Sequence, residues 1–143
     1  MKPKAHKLSD YKHRLTIPTR WNDNDVYGHV NNAVYYFYFD TTVNKFLIDR
    51  GLLEIGKSGV IGLVVDTGCS FFAPISFPDD VVAGLRVAKM GQSSVHYEIA
   101  LFRNQETIAC AQGHFIHVYV DEITRRPIPM DEEMRAGLKT LEM

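Results

Sequence analysis

Asp23, Asp25, His29, Asn31 and Asn32 crowd into one short stretch, with Gly28 among them. An ionised carboxylate can attack an electrophilic carbonyl carbon or draw a proton from water, and histidine can move protons near neutral pH. Asn31 and Asn32 are of the type that caps helices, because a short side-chain oxygen accepts a hydrogen bond from an otherwise unpaired amide of the first turn. From Ala33 no glycine or proline occurs until Gly51, a natural stop after a helix. The spacing predicts a helix over 33–50. Asp25 then lies a few residues ahead of its N-terminus, where unpaired amides and the helix dipole favour negative charge. A base or nucleophile beside an oxyanion site is what acyl transfer from a reactive carbonyl requires.

Other elements must hold that stretch in place. The first half of the helix, Val34 to Phe39, is apolar or aromatic on all sides, and Asp40, Thr41, Asn44, Lys45 and Asp49 bring polarity only later. A helix apolar all round is expected to be enclosed all round, and a curled sheet supplies the enclosure in a chain this short. A short β-type run at 15–21 precedes the helix, and β-branched and aromatic residues mark strands over 60–72, 81–90 and 95–101. Gly91 and Gln92 join the last two as a hairpin. After a turn at 104–106, a long strand is expected over 107–120, apolar in both phases and hence inner. Asp131, Glu132 and Glu133 open a terminal helix that turns Met134, Leu138 and Leu141 to the body. The order of elements implies an α+β domain in which an antiparallel meander wraps a central helix.

The 143 residues suit one domain, 45% hydrophobic and 23% charged, with a formal net charge of −1 that offers no basic field for nucleic acid. The basic stretch 1–9 lacks the apolar run of a signal peptide and reads as a short disordered arm on a cytoplasmic protein; no segment is apolar enough to span a membrane. Cys69 and Cys110 fall in strand-like runs and read as buried, reduced thiols.

Two motifs mislead. The stretch 51–58 satisfies the spacing of a phosphate-binding loop, yet such a loop follows a strand and opens a helix, whereas Gly51 ends one. Asp23-x-Asp25-x-Tyr27-Gly28 begins like a calcium loop, but Val34 stands where the bidentate glutamate belongs, and one nearby histidine is too few for a transition metal. No metal site is expected. Asp23 and Asp25 could form a merely solvated turn; together with Gly28, His29, the asparagines and the aromatic helix, they also form a polar cluster abutting an apolar slot, which suits an acyl group.

The string Asp23-x-Asp25-x-x-Gly28-His29-Val30-Asn31-Asn32-x-x-Tyr35 resembles the 4-hydroxybenzoyl-CoA thioesterase-like branch of the hotdog-fold superfamily. The resemblance runs from about Tyr11 to Leu141 and includes 68–74, 91–94, 113–120 and 126–129. It implies a hotdog fold, an antiparallel sheet of five to six strands around a long central helix, in protomers that pair edge to edge as a homodimer or homotetramer with active sites at the interface. It implies that Asp25 is the catalytic carboxylate, nucleophile or base, that the Asn32 amide is the oxyanion donor, and that Asp23 is a turn residue. A second branch carries its catalytic glutamate on the central helix, and no glutamate occurs over 33–50. Plant acyl-carrier-protein thioesterases carry a related string with asparagine where Tyr27 stands, which leaves His29 either chemical or loop-shaping.

The expected activity is hydrolysis of an acyl-CoA thioester without a cofactor, coenzyme A being part of the substrate. Asn31, Tyr35, Ser93, Ser94 and Lys89 complete the candidate binding residues, with Arg86 and Arg103 as further cations for the phosphates. The rivals are an acyl-carrier-protein thioesterase, a hydratase on the same fold, and a non-catalytic acyl-binding protein.

Overall fold

The computed structural model describes residues 3–53 and 59–143. Five strands, β1 (His13–Pro18), β2 (Val60–Phe71), β3 (Asp80–Met90), β4 (Ser94–Arg103) and β5 (Ala111–Asp121), form one sheet in the order β1-β3-β4-β5-β2, every pair antiparallel. Helix α1 (Asn32–Asp49) lies along one face, and α2 (Glu132–Lys139) closes one end with Met134, Leu138 and Leu141 buried.

Sequence pattern explains the packing. On α1 the buried residues Tyr35, Tyr38, Phe39, Thr42, Val43, Phe46 and Leu47 recur at helical spacing. Alternate residues of the strands meet them, among them Val81, Ala83 and Leu85 of β3 and Val95, Tyr97, Ile99 and Leu101 of β4. Gly113 of β5 lets the helix come close, since any side chain there would run into the Phe39 ring and the Gly68 carbonyl. Asn31 accepts from the Ala33 amide as the N-cap, and Gly51, at φ +68°, takes the left-handed conformation past the helix end. Most of the stretch 51–58, with its phosphate-loop spacing, falls outside the described residues. Cys69 and Cys110 are free thiols, and burial pushes Cys69 up to about 12.

Three expectations need correction. The helix is not enclosed on every side: Phe37 is 66% exposed, and Ala33, Thr41 and Ile48 lie open with it. Five strands do not reach around α1, and β2 at the sheet's edge leaves 62–67 exposed as an unbroken run. Next, β5 starts at Ala111, because the backbone of 107–109 bonds to the N-terminal segment instead: Leu8 N–H donates to Thr107 and Ala109 N–H to His6. That segment is therefore no free arm. The Gln112 side chain bonds both Lys4 and His6, and Tyr11 is buried on the outer face of the sheet against Phe102 and Gly84.

His117, on which the sequence analysis is silent, lies in the core phase of β5 with Phe115 and Tyr119 and is only 3% exposed. Its ring sits among Phe115, Tyr97 and Tyr119; Nδ1 is 3.4 Å from the Tyr119 hydroxyl, and Nε2 is buried with no partner among the described residues. Loss of water pushes its pKa down to about 4. Between 6.5 and 4 the unfolded chain takes up a proton that the native state refuses, so this contribution is complete above pH 6.5 and falls away as pH drops. At about 1.4 kcal/mol per pH unit, His117→Phe should remove about 2 kcal/mol of the stability difference between about pH 7 and about pH 5. Urea melts of both proteins at the two pH values check this; an unchanged difference would refute it.

Candidate active site

The loop between β1 and α1 is built on Asp23. Its carboxylate is buried and accepts from the Arg20 amide at 2.9 Å, the Arg20 guanidinium at 2.9 and 3.1 Å, and the Tyr38 hydroxyl at 2.8 Å. Burial opposes its ionisation, but these hydrogen bonds outweigh the burial, so its pKa is held below the ordinary value. Asp23 is thus the anchor of the loop to the second turn of α1 rather than a solvated turn residue. Its carbonyl accepts from Asn31 N–H at 2.8 Å, and Val30 N–H donates to Ile75 at 2.7 Å, tying the loop to the connection ahead of β3.

Asp25 occupies the tip. Its amide donates to the His29 carbonyl at 2.8 Å, and its Oδ1 accepts from Tyr27 N–H at 2.8 Å, the pattern of an Asx turn. Gly28 closes the turn at φ +82°. The other oxygen, Oδ2, has no hydrogen-bond partner among the described residues. At the helix start, Ala33 N–H is capped by Asn31 and Val34 N–H donates to the Asn31 carbonyl, while Asn32 N–H has no acceptor among the described residues.

Asp25, His29 and Asn32 line one cleft of about 520 Å³, whose apolar wall is Val30, Tyr35, Phe71, Phe72 and Pro74. Tyr35 packs edge-on to Phe71 at 4.9 Å, and burial raises its hydroxyl to about 12, keeping it neutral. The His29 side chain is exposed and makes no hydrogen bond among the described residues. Asp25, with one carboxylate oxygen unpartnered among the described residues, and Asn32, whose amide is unpaired among them, thus line one slot that suits an apolar group bearing a carbonyl.

The other candidates lie elsewhere. Asn31 is outside the cleft lining, its side chain spent on the cap. Lys89, Ser93 and Ser94 are at the opposite end of the sheet: Ser94 pairs with Val118 while Phe71 pairs with Ala111, seven residues along β5, or roughly 23 Å. Arg86 is engaged by Glu98 and stacks on Tyr11. Arg103 sits at the far end of β4 from the hairpin, bonded to Glu106 and the Pro74 carbonyl. Sequence reasoning counted 68–74 within the family resemblance but gave the wall 71–74 no role in the site; its signal was an aromatic pair running into proline at a strand's end. No cluster of three or more His, Cys, Asp or Glu side chains able to hold a metal occurs among the described residues.

A five-stranded antiparallel sheet wrapped along one long helix, with this cleft at the helix start, is the hotdog fold. The chain belongs to the thioesterase-like superfamily, whose family model matches residues 19–138. It is similar to the PA5185 protein of Pseudomonas aeruginosa, with 49% identity, 96% of each chain covered and a TM-score of 0.94. A thioesterase from Thermus thermophilus, solved in complex with coenzyme A and zinc, is 29% identical over 92% of this chain and 95% of its own, with a TM-score of 0.76. The chloroplastic acyl-acyl carrier protein thioesterase ATL3 of Arabidopsis thaliana is 27% identical over 87% of this chain, which spans only 66% of that protein. Thioester hydrolysis is the activity that the family and the Thermus thermophilus thioesterase support.

Proposed function

We propose that the protein is an acyl-CoA thioesterase of the 4-hydroxybenzoyl-CoA thioesterase-like kind, with Asp25 as its catalytic carboxylate. The observation that carries this reading is Asp25, whose Oδ2 has no partner among the described residues, in a cleft whose remaining wall is largely apolar and includes Asn32, the residue whose amide is unpaired among them. The substrate carbonyl sits with its oxygen toward Asn32 N–H. Attack by Oδ2 on the carbonyl carbon expels the CoA thiolate and leaves an anhydride, which water opens to free acid and Asp25; alternatively, Oδ2 takes the proton from a water that attacks directly. Both routes consume one water and release one thiol. His29 lines the same cleft, where its role is either to relay a proton to the leaving thiolate or to shape the loop.

The assembly follows from β2. Leu63, Val64 and Val65 are exposed on a strand that ends the sheet and has no second strand partner over 62–67 among the described residues, and Phe37 of α1 is exposed as well. Such an edge is a template for another strand. We propose that two copies pair through β2 in antiparallel fashion, as a homodimer or within a homotetramer. Antiparallel pairing sets the hairpin end of one sheet, with Lys89, Ser93 and Ser94, beside the cleft end of the other, so residues far apart in one chain serve one site.

The resemblance to an acyl-carrier-protein thioesterase supports a second reading, in which the acyl group arrives on a carrier protein. Thiol release from a panel of aromatic and aliphatic acyl-CoAs, run beside the same acids on acyl carrier protein, decides between them. Turnover of CoA esters supports the first reading; turnover confined to the carrier-bound esters supports the second. Binding without thiol release from either would sink both in favour of a non-catalytic acyl-binding protein.

A further inference from the structure

A second depression of about 420 Å³ adjoins the cleft and shares one residue with it, Asp25. Its other walls are Trp21, Asn22, Asn24, Val26 and Gly28. The two hollows differ in chemistry. The first is walled by aromatic and aliphatic side chains; the second combines one large indole with two carboxamides, and no cation is among its described lining residues.

Trp21 is 74% exposed, an uncommon setting for the only tryptophan of a chain. It is nonetheless held in place: its ring meets Phe77 edge-on at 5.9 Å and 87°, and the Asn24 Oδ1 accepts from Phe77 N–H at 3.0 Å, fixing the same segment from the other side. Next to it, Asp23 is locked by Arg20 and Tyr38. The indole therefore presents a free face whose ordering has already been done by the fold, which lowers the cost of binding against it. With Oδ1 of Asn24 engaged, its Nδ2 remains as a donor, and the Asn22 side chain has no partner among the described residues.

From this geometry we infer that the second depression holds the thiol side of the substrate, a neutral arm bearing amides and methyl groups of the pantetheine class, while the first cleft holds the acyl side. The inference rests on the thioesterase reading above. The shared carboxylate then stands at the thioester itself, where the two halves of the substrate meet. The arm's amides face Asn22 and Asn24, its branched alkyl part lies on Trp21 and Val26, and this lining, charged only at the shared Asp25, suits an arm that is uncharged until its phosphate end.

The test compares two thioesters of one acid, a pantetheine thioester and an ethyl thioester that lacks the arm. Trp21→Ala should raise KM for the pantetheine thioester about five- to tenfold with kcat within about twofold, the mark of binding lost equally from ground and transition states. It should leave kcat/KM for the ethyl thioester unchanged, and Trp21→Phe should restore most of the loss. Asn22→Ala should act in the same direction with a smaller effect. Equal losses on both thioesters, no loss on either, a loss seen with acyl-CoA but absent with the pantetheine thioester, or a changed mass in light scattering would each overturn the assignment. If the unmodified protein hydrolyses neither thioester, the thioesterase reading itself fails, which is a separate result.

Discussion

Asp25→Asn should lower turnover by about two to four orders of magnitude while leaving the fold and substrate affinity in place. The replacement keeps an oxygen where Oδ1 accepts from Tyr27 N–H, so the turn that aims the side chain survives. What changes is Oδ2: a carboxylate oxygen able to attack or to take a proton becomes an NH2 group able to do neither. Asp23→Asn is the contrasting case, because it disturbs a buried anchor shared by Arg20 and Tyr38 and should cost stability more than chemistry. His29→Gln separates two roles: a small loss marks a loop-shaping residue, and a loss as deep as that of Asp25→Asn marks a proton carrier. Steady-state thiol release on the best acyl-CoA, with melting curves alongside, reads all three. Near wild-type turnover by Asp25→Asn would show that the carboxylate mechanism is wrong.

Val65→Lys should convert the assembly to monomers and reduce turnover about a hundredfold, since the edge pairing would then no longer complete the site. Val65 lies at the irregularity where the pairing of β2 with β5 shifts between Val64 and Asp66, and it is 58% exposed in the single chain. A lysine is therefore tolerated within one copy, while in the proposed antiparallel β2 pair, centred on the middle of the strand, it would set two like charges close together. Light scattering at micromolar concentration, followed by thiol release on the same sample, gives the result. A fully active monomer would show the cleft to be complete in one chain, and a wild-type protein that is itself monomeric would remove the basis for the edge pairing.

The parts of this fold that were legible in the sequence are those set by local chemistry. The Asn31 cap, the run without glycine or proline, and Gly51 past its end define α1 to within a residue or so, and the position of Asp25 ahead of it follows from chain continuity. The hairpin at 91–94 was legible for the same reason. What was not legible depends on distant partners. The start of β5 at Ala111 is decided by residues 6–8, roughly a hundred positions earlier, which take the hydrogen bonds that a longer strand would have used. His117 was overlooked because histidine reads as a surface residue, although its neighbours two positions away on either side, Phe115 and Tyr119, mark the buried phase. The all-round apolar helix was read as an enclosed one, whereas a single sheet covers one side of it and leaves Phe37 open. The separation of Ser93, Ser94 and Lys89 from Asp25 is a matter of strand direction, which spacing along the chain does not carry.

At the start of α1 the proposed mechanism divides the work between the side chain and the main chain of adjacent residues: Asn31 spends its carboxamide on the helix, and Asn32, which lines the cleft, would contribute its backbone amide. A donor that belongs to the main chain is indifferent to the side chain attached to it. Scanning position 32 with ordinary replacements would alter an exposed carboxamide and leave the proposed donor untouched, so the position would look dispensable even with its amide serving as the oxyanion donor. Proline is the exception, for it alone removes the N–H, and the first position of a helix is where proline is best accommodated. Half of the proposed site is thus invisible to the usual mutational alphabet and exposed by a single letter of it.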